Sequence, residues 1–295
     1  MLHFIDLPNE ERARIVDDHD YFVFDIDGVI FNGPVLVPHA EDVMKKLHAS
    51  GKIIKLFTNN CAASRKEIHR VLSRSFPFLK KEDIISSSLL AAKYFKETLG
   101  NKKLFVPGGK GILEELDGMN IDYITSQNKK ITGMTDLVEM KLNKDVGAVL
   151  LAYDIDFNFT KLFELVNYVQ DPQISYVQTH IDKFVRLKCD MALLPGVGAT
   201  AAAVEAVTGR IPTNIGKPSE FARAYLLSQI PLGGKAVFVG DTLEVDIVMG
   251  NQCGMTTILV LTGVSSLEDA KKAEEENNSL LVPNYYADSI ADLMK

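Results

Sequence analysis

Asp25 and Asp27 lie two residues apart and are followed by Gly28. Further along come Thr58-Asn59-Asn60, then Gly216-Lys217-Pro218, then Gly240-Asp241-Thr242 with another acid at Asp246. Phosphoryl transfer needs an in-line nucleophile, a proton donor for the leaving oxygen, and positive charge on the equatorial oxygens. These residue types can supply all three. Asp25 can be the nucleophile, since carboxylates form acyl phosphates in other enzymes. Asp27 lies on the same side of an extended chain, because side chains alternate, and can protonate the departing alkoxide. Thr58 and the neighbouring amides can donate to phosphate oxygens, and Lys217 offers a fixed cation. Asp241 adds a carboxylate for Mg²⁺, a hard ion that prefers oxygen ligands. A lone Asp-x-Asp-Gly also describes an ordinary strand-to-turn junction, so the ordered set carries the reading. A calcium loop starting at Asp25 fails, because Val29 and Leu36 would occupy its fifth and twelfth positions.

All of these groups except Gly216-Lys217-Pro218 follow an apolar run of the kind that forms a buried parallel strand. The runs are Tyr21 to Phe24, Ile53 to Phe57 and Ala236 to Val239. Ligands of open α/β sheets bind beyond the carboxyl ends of such strands, so three strands deliver these residues to one edge. Strand and helix signals alternate along the rest of the chain, which favours an α/β fold with a parallel sheet. Ser64 to Glu67 has capping-box spacing and opens a helix through Leu72. Ile84-Ile85 reads as a strand and Leu89 to Leu99 as a helix stopped by Gly100. A second set follows: strands at 104–106, 146–153 and 174–177, with helices at 112–116, 161–169 and 199–207. This block can bury its own core. The expected organisation is a Rossmann-like core domain at 1–100 and 210–295, split by an inserted α/β cap domain at 101–209.

The 295 residues carry a formal charge of −7, with 46% hydrophobic and 24% charged residues. That composition describes a globular chain and argues against a nucleic-acid binder, which would carry a basic patch. Three widely spaced cysteines form neither a disulfide framework nor a zinc motif. The amino terminus meets acid too soon for a signal-peptide core, and no apolar stretch is long enough to span a bilayer. The expected setting is the cytoplasm, with neither membrane nor nucleic acid as partner.

The order DxDG, TNN, GKP, GDxxxxD resembles the haloacid dehalogenase superfamily in its aspartyl-phosphate phosphatase branch. Within it, the chain is similar to the p-nitrophenyl phosphatase group, which includes phosphoglycolate and pyridoxal phosphatases. The segments Leu56 to Asn60, Gly198 to Arg210, Gly240 to Ile247, Cys253 to Thr257, Leu261 to Val264 and Tyr286 to Leu293 carry the likeness. It covers nearly the whole chain, least distinctively in the first fifteen residues and around 120–145. The resemblance implies Asp25 as nucleophile, Asp27 as acid/base, and Mg²⁺ held by Asp25, the Asp27 backbone carbonyl and Asp241. It implies phosphate binding by Thr58, Asn59 and Lys217, with Asp246 as an outer support of the metal. It also implies a homodimer through the cap and a small phosphorylated metabolite as substrate, either 2-phosphoglycolate or a broad range, with pyridoxal 5′-phosphate as the alternative. One departure stands in the cap segment: His180 occupies a position where many relatives carry Asn or Asp.

The cap must read what the phosphate site cannot, and the stretch from His180 to Arg186 mixes charge with an aromatic ring. Arg186 suits a carboxylate through two parallel hydrogen bonds, with Lys183 and His180 as helpers. Phe184 suits a pyridine ring. An exposed loop is the plainer interpretation of the same residues. Gly196 to Ala201 fits a dinucleotide fingerprint but lacks its acidic partner, so a dinucleotide-binding protein is a rival of another class. A phosphomutase would use the same catalytic residues. Dehalogenation fits less well, since a halide needs no proton from Asp27. Gly108-Gly109-Lys110-Gly111 lacks Walker-A spacing and reads as a strand-to-helix turn.

Overall fold

In the computed structural model, residues 1–127, 129, 131–186 and 193–294 are described, without the side chains of residues 185, 186 and 193. The larger sheet has seven parallel strands. From edge to edge they are Leu2–His3, Tyr285–Ala287, Thr256–Val260, Ala236–Gly240, Tyr21–Phe24, Ile53–Thr58 and Ile84–Ser86. The run Tyr21–Phe24 is continuously apolar because it is a central strand, buried on both faces. Its side chains alternate between two cores: Phe22 and Phe24 join Leu56, Val237 and Val239 on one face. Tyr21 and Val23 join Phe57, Phe238 and Leu90 on the other. Each such fully buried side chain contributes about 1.5–3 kcal/mol.

Chain order sets where the site lies. From Tyr21–Phe24 the chain builds outward through Ile53–Thr58 to Ile84–Ser86, and later resumes on the opposite side with Ala236–Gly240. The crevice at that reversal, beyond the strands' carboxyl ends, is the ligand position of such folds. Asp25 begins where the sheet ends, its N–H donating to the Val239 carbonyl at 2.9 Å.

A second parallel sheet has the order Thr213–Asn214, Ser175–Gln178, Val146–Leu151, Lys103–Phe105, Tyr123–Ile124. Its edge strand Thr213–Asn214 extends this sheet past the boundary expected at 209. Lys217 follows directly, so the second sheet delivers the lysine to the first sheet's crevice. The helix Ser87–Thr98 joins the two layers. Its Leu90 lies in the larger sheet's core, whereas Ala91, Ala92 and Phe95 pack with strands of the second sheet. The 180–186 stretch is a hairpin in part, with Phe184–Arg186 antiparallel to Leu193–Pro195. Among the described residues no helix is long and apolar enough to cross a membrane.

Candidate active site

Lys217 is the centre of the site. It is 1% exposed, and its ammonium donates to Asp25 Oδ1 at 2.9 Å, Asp246 Oδ1 at 2.7 Å and the Phe57 carbonyl at 2.7 Å. The rings of Phe57 and Phe238 flank it, with centroids 5.4 and 5.7 Å away. Desolvation alone would lower its pKa, but the charges of Asp246 and Asp25 outweigh it and the net shift is upward. The lysine therefore stays a cation inside the protein.

Three buried carboxylates converge here. Oxygens of Asp25, Asp241 and Asp246 lie within 4.8 Å of one another. Burial raises the Asp25 carboxyl well above its ordinary range; Lys217 opposes this, while Asp246, Asp241 and Asp27 add to it. Asp241 is pushed up to about 7, first by burial and then by Asp246. One ammonium does not balance three acids, and this oxygen-only donor set suits a hard divalent cation. Asp246 is already committed: besides Lys217, it accepts the N–H groups of Asp241 and Thr242 on Oδ2, each at 3.1 Å. Those bonds arise because Leu243–Ile247 forms a π-helical turn, which brings Asp246 back over the strand end. Asp241 accepts the Thr242 hydroxyl on Oδ1 at 3.0 Å and the Val264 N–H on Oδ2 at 2.8 Å, one bond per oxygen against two on Asp246 Oδ2, so Asp25 and Asp241 keep more room for an ion, with Asp246 behind them. Gly28 and Gly263 wrap Asp241 so closely that a Cβ at either position would collide with its carboxylate. Gly28 also has φ +87° and so suits glycine twice over.

Asp27 is solvent-reachable, yet the surrounding protein desolvates it enough to raise its carboxyl, against a hydrogen bond with Asn60 and the charge of Lys217. Such a shift favours a proton-carrying form. Thr58 closes its strand, is buried, and accepts the Asn60 N–H at 2.9 Å. Asn59 has a different geometry from a free phosphate ligand. Its Oδ1 accepts the Lys217 N–H at 2.9 Å, and its Nδ2 donates to the Lys217 carbonyl at 3.3 Å and Asp182 Oδ2 at 3.2 Å.

Two family models match this chain: haloacid dehalogenase-like hydrolase over residues 22–122, and HAD-hydrolase-like over residues 214–293. Chronophin of Mus musculus is 36% identical over 280 residues, covering 92% of this chain and 91% of the mouse protein. The chain belongs to the haloacid dehalogenase-like hydrolases. Within this family, glycerol-3-phosphate phosphatase of Gallus gallus is 32% identical over 297 residues, covering 98% of this chain and 95% of the chicken protein. The structure of p-nitrophenyl phosphatase from Archaeoglobus fulgidus superposes with a TM-score of 0.76 at 26% identity, over 93% of this chain and 98% of that one. This family member is a phosphatase, with the parallel-sheet Rossmann-like core of its relatives. Phosphatases of the family use a divalent metal, and the acidic cluster fits one.

The cap residues fall into two groups. His180 is 6% exposed and turned inward, its Nδ1 lying 3.1 Å from Thr179 Oγ1 and 3.9 Å from Cys61 Sγ. Burial alone would lower the imidazole and raise the thiol; their proximity reverses both shifts. Lys183 and Phe184 are exposed on the hairpin approach, and the side chain of Arg186 lies outside the described residues. The glycines of the dinucleotide-like stretch have a use inside the protein. A Cβ at Gly196 would strike the Asp182 carbonyl, and one at Gly198 the Ile181 carbonyl. The two glycines therefore serve the close packing of this turn against the 181–183 backbone.

Sequence reasoning missed Asp182 and the joint around the loop after Thr58. Arg65 binds Glu115 of the cap through paired contacts of 3.1–3.2 Å. The Tyr153 N–H donates to Cys61 Sγ at 3.1 Å. Nothing in local spacing signals these pairs, because their partners lie 50 and 92 residues apart.

Proposed function

We propose that this phosphatase hydrolyses small phosphomonoesters with Mg²⁺, in the cytoplasm, through a phosphoryl group carried transiently on Asp25. The observation that supports this most is the Asp25 carboxylate in the crevice, held at 2.9 Å by a buried lysine and backed by two further acids. A carboxylate oxygen of Asp25 attacks phosphorus and the ester P–O bond breaks. Asp27 gives its proton to the departing alkoxide, a role its raised pKa favours. Asp27 then takes a proton from water, whose oxygen attacks the aspartyl phosphate, releasing phosphate and restoring Asp25. Thr58, Asn59 and Lys217 form the phosphate-binding wall, Lys217 opposing the charge on the phosphoryl oxygens and Asn59 keeping that lysine in place. Mg²⁺, held by Asp25, Asp241 and the Asp27 carbonyl with Asp246 behind them, supplies when bound further positive charge against the phosphoryl oxygens.

For substrate, 2-phosphoglycolate or a broad range of small metabolites fits best, supported by the relatives that are glycerol-3-phosphate phosphatases. Pyridoxal 5′-phosphate is the second reading, because the aromatic Phe184 is 42% exposed on the cap hairpin. Lys183 and Arg186 would meet a carboxylate, and inward-turned His180 would shape the wall behind them. A homodimer through the cap belongs to the same reading. The test is phosphate release from 2-phosphoglycolate, glycerol 3-phosphate, pyridoxal 5′-phosphate and p-nitrophenyl phosphate, with Mg²⁺ and with excess chelator. Free phosphate only in the presence of Mg²⁺, with highest kcat/KM on a two- or three-carbon ester, is expected. Full activity in chelator contradicts the metal assignment, and selective turnover of pyridoxal 5′-phosphate favours the second reading.

A further inference from the structure

We infer that Asp182 is a positioning residue for the reaction, acting through Asn59 on Lys217; this rests on the roles just given to Asp25 and Lys217. The Asn59 carboxamide clamps the lysine's backbone at two points, its N–H at 2.9 Å and its carbonyl at 3.3 Å. A carboxamide has two ends of nearly equal shape, one accepting and one donating. The Asp182 carboxylate only accepts, so at 3.2 Å it holds the Nδ2 end toward itself and leaves Oδ1 for the Lys217 N–H. A flipped carboxamide would set oxygen against oxygen and lose the bond to that N–H. The hydrogen bond to an ionised acceptor is also stronger than one between neutral groups.

Asp182 can set a position because its own loop is held. The N–H of Gly198 donates to the Asp182 carbonyl at 3.0 Å and that of Gly196 to the Lys183 carbonyl at 2.8 Å. Neither glycine leaves room for a Cβ against this loop. Gly216 is equally tight against the Thr179 carbonyl and Asn59 Oδ1. A line of fixed contacts thus runs from the cap loop through Asn59 to the Lys217 backbone. The lysine's ammonium, at the far end, sits between Asp25 and Asp246.

The experiment compares Asp182→Ala, Asp182→Asn, Asn59→Ala and the double variant Asn59→Ala/Asp182→Ala, with Mg²⁺, on p-nitrophenyl phosphate and glycerol 3-phosphate. Asp182→Ala is expected to lower kcat about ten- to a hundredfold, the scale of a small misplacement at a reacting centre, and by the same factor on both substrates. Asp182→Asn keeps an acceptor oxygen and regains most of the rate. In the Asn59→Ala background the Asp182 substitution costs nothing more. An unchanged kcat in Asp182→Ala, a loss confined to one substrate, or a full additional loss in the double variant overturns the inference. Thermal melting checks folding, and Asp182→Ser carries the same comparison should the alanine variant not fold. Asp25→Asn is assayed alongside: its activity would remove the underlying reading, whatever Asp182 does.

Discussion

At the scale of single residues, Asp25, Asp27, Asp241 and Asp246 were legible because their spacing after apolar runs is local information, and Lys217 through its place in the ordered set of motifs. The division of labour among them was not, because it depends on which oxygen faces which donor. Asp246 shows this: its two oxygens are committed to Lys217 and to two backbone N–H groups through a π-helical turn that no local pattern announces. The sequence expectation makes Asn59 a phosphate ligand, and its carboxamide also holds Lys217 and Asp182, contacts that no local spacing announces. The raised pKa of Asp241 yields a prediction. A carboxyl whose folded pKa lies near 7, above its unfolded value of 3.8, stabilises the metal-free protein below the unfolded value and loses that contribution as pH rises through 7. Asp241→Asn, which has no proton to lose, should therefore stabilise the chelated protein relative to wild type more at pH 8 than at pH 5, by on the order of 1–4 kcal/mol. Thermal or urea unfolding at the two pH values checks this. An equal effect at both would show that Asp241 does not titrate in that window.

Among the elements, the central strands and most helices followed from periodicity and caps. The capping box at Ser64 and Glu67 opens its helix as its spacing requires. The hairpin of Phe184–Arg186 with Leu193–Pro195 was less legible, since short strands on a polar background share their composition with exposed loops. The joint between cap helix Lys110–Gly118 and the loop after Thr58 was not legible at all. There Gly111 approaches Ala62 and Ala63 so closely that a Cβ would lie 2.5–2.7 Å from their backbone atoms. Glycine inside an exposed helix ordinarily costs about 1 kcal/mol relative to alanine. Here the close approach reverses the sign. Gly111→Ala is expected to destabilise by about 1–3 kcal/mol, the range for overpacking, and to lower kcat by displacing the loop that carries Asn59. A stabilised variant with unchanged kcat would show that the joint yields freely.

For the whole molecule, the site exists because two parallel sheets point their carboxyl ends at each other, one supplying Asp25, Thr58 and Asp241, the other Lys217 and Asp182. The helix Ser87–Thr98, shared by both cores, keeps that arrangement. The proposed cap dimer is tested by sedimentation velocity: a concentration-independent dimer is expected, lost in a protein whose exposed cap side chains Met134 and Val138, 75% and 82% exposed, are changed to Glu. A monomer at all concentrations would contradict it. Whether the convergence of the two sheets produces a covalent intermediate is answered most directly by quenching turnover in acid, reducing with borohydride and mapping the peptides by mass spectrometry. An acyl phosphate at Asp25 is reduced to the corresponding alcohol, so the label should appear at position 25, depend on substrate, and vanish in an Asp25→Asn protein that retains less than about a hundredth of the rate, a barrier increase above roughly 2.7 kcal/mol. Reduction at another residue, or an Asp25→Asn protein that keeps turning over, would contradict the phosphoryl group's passage through Asp25.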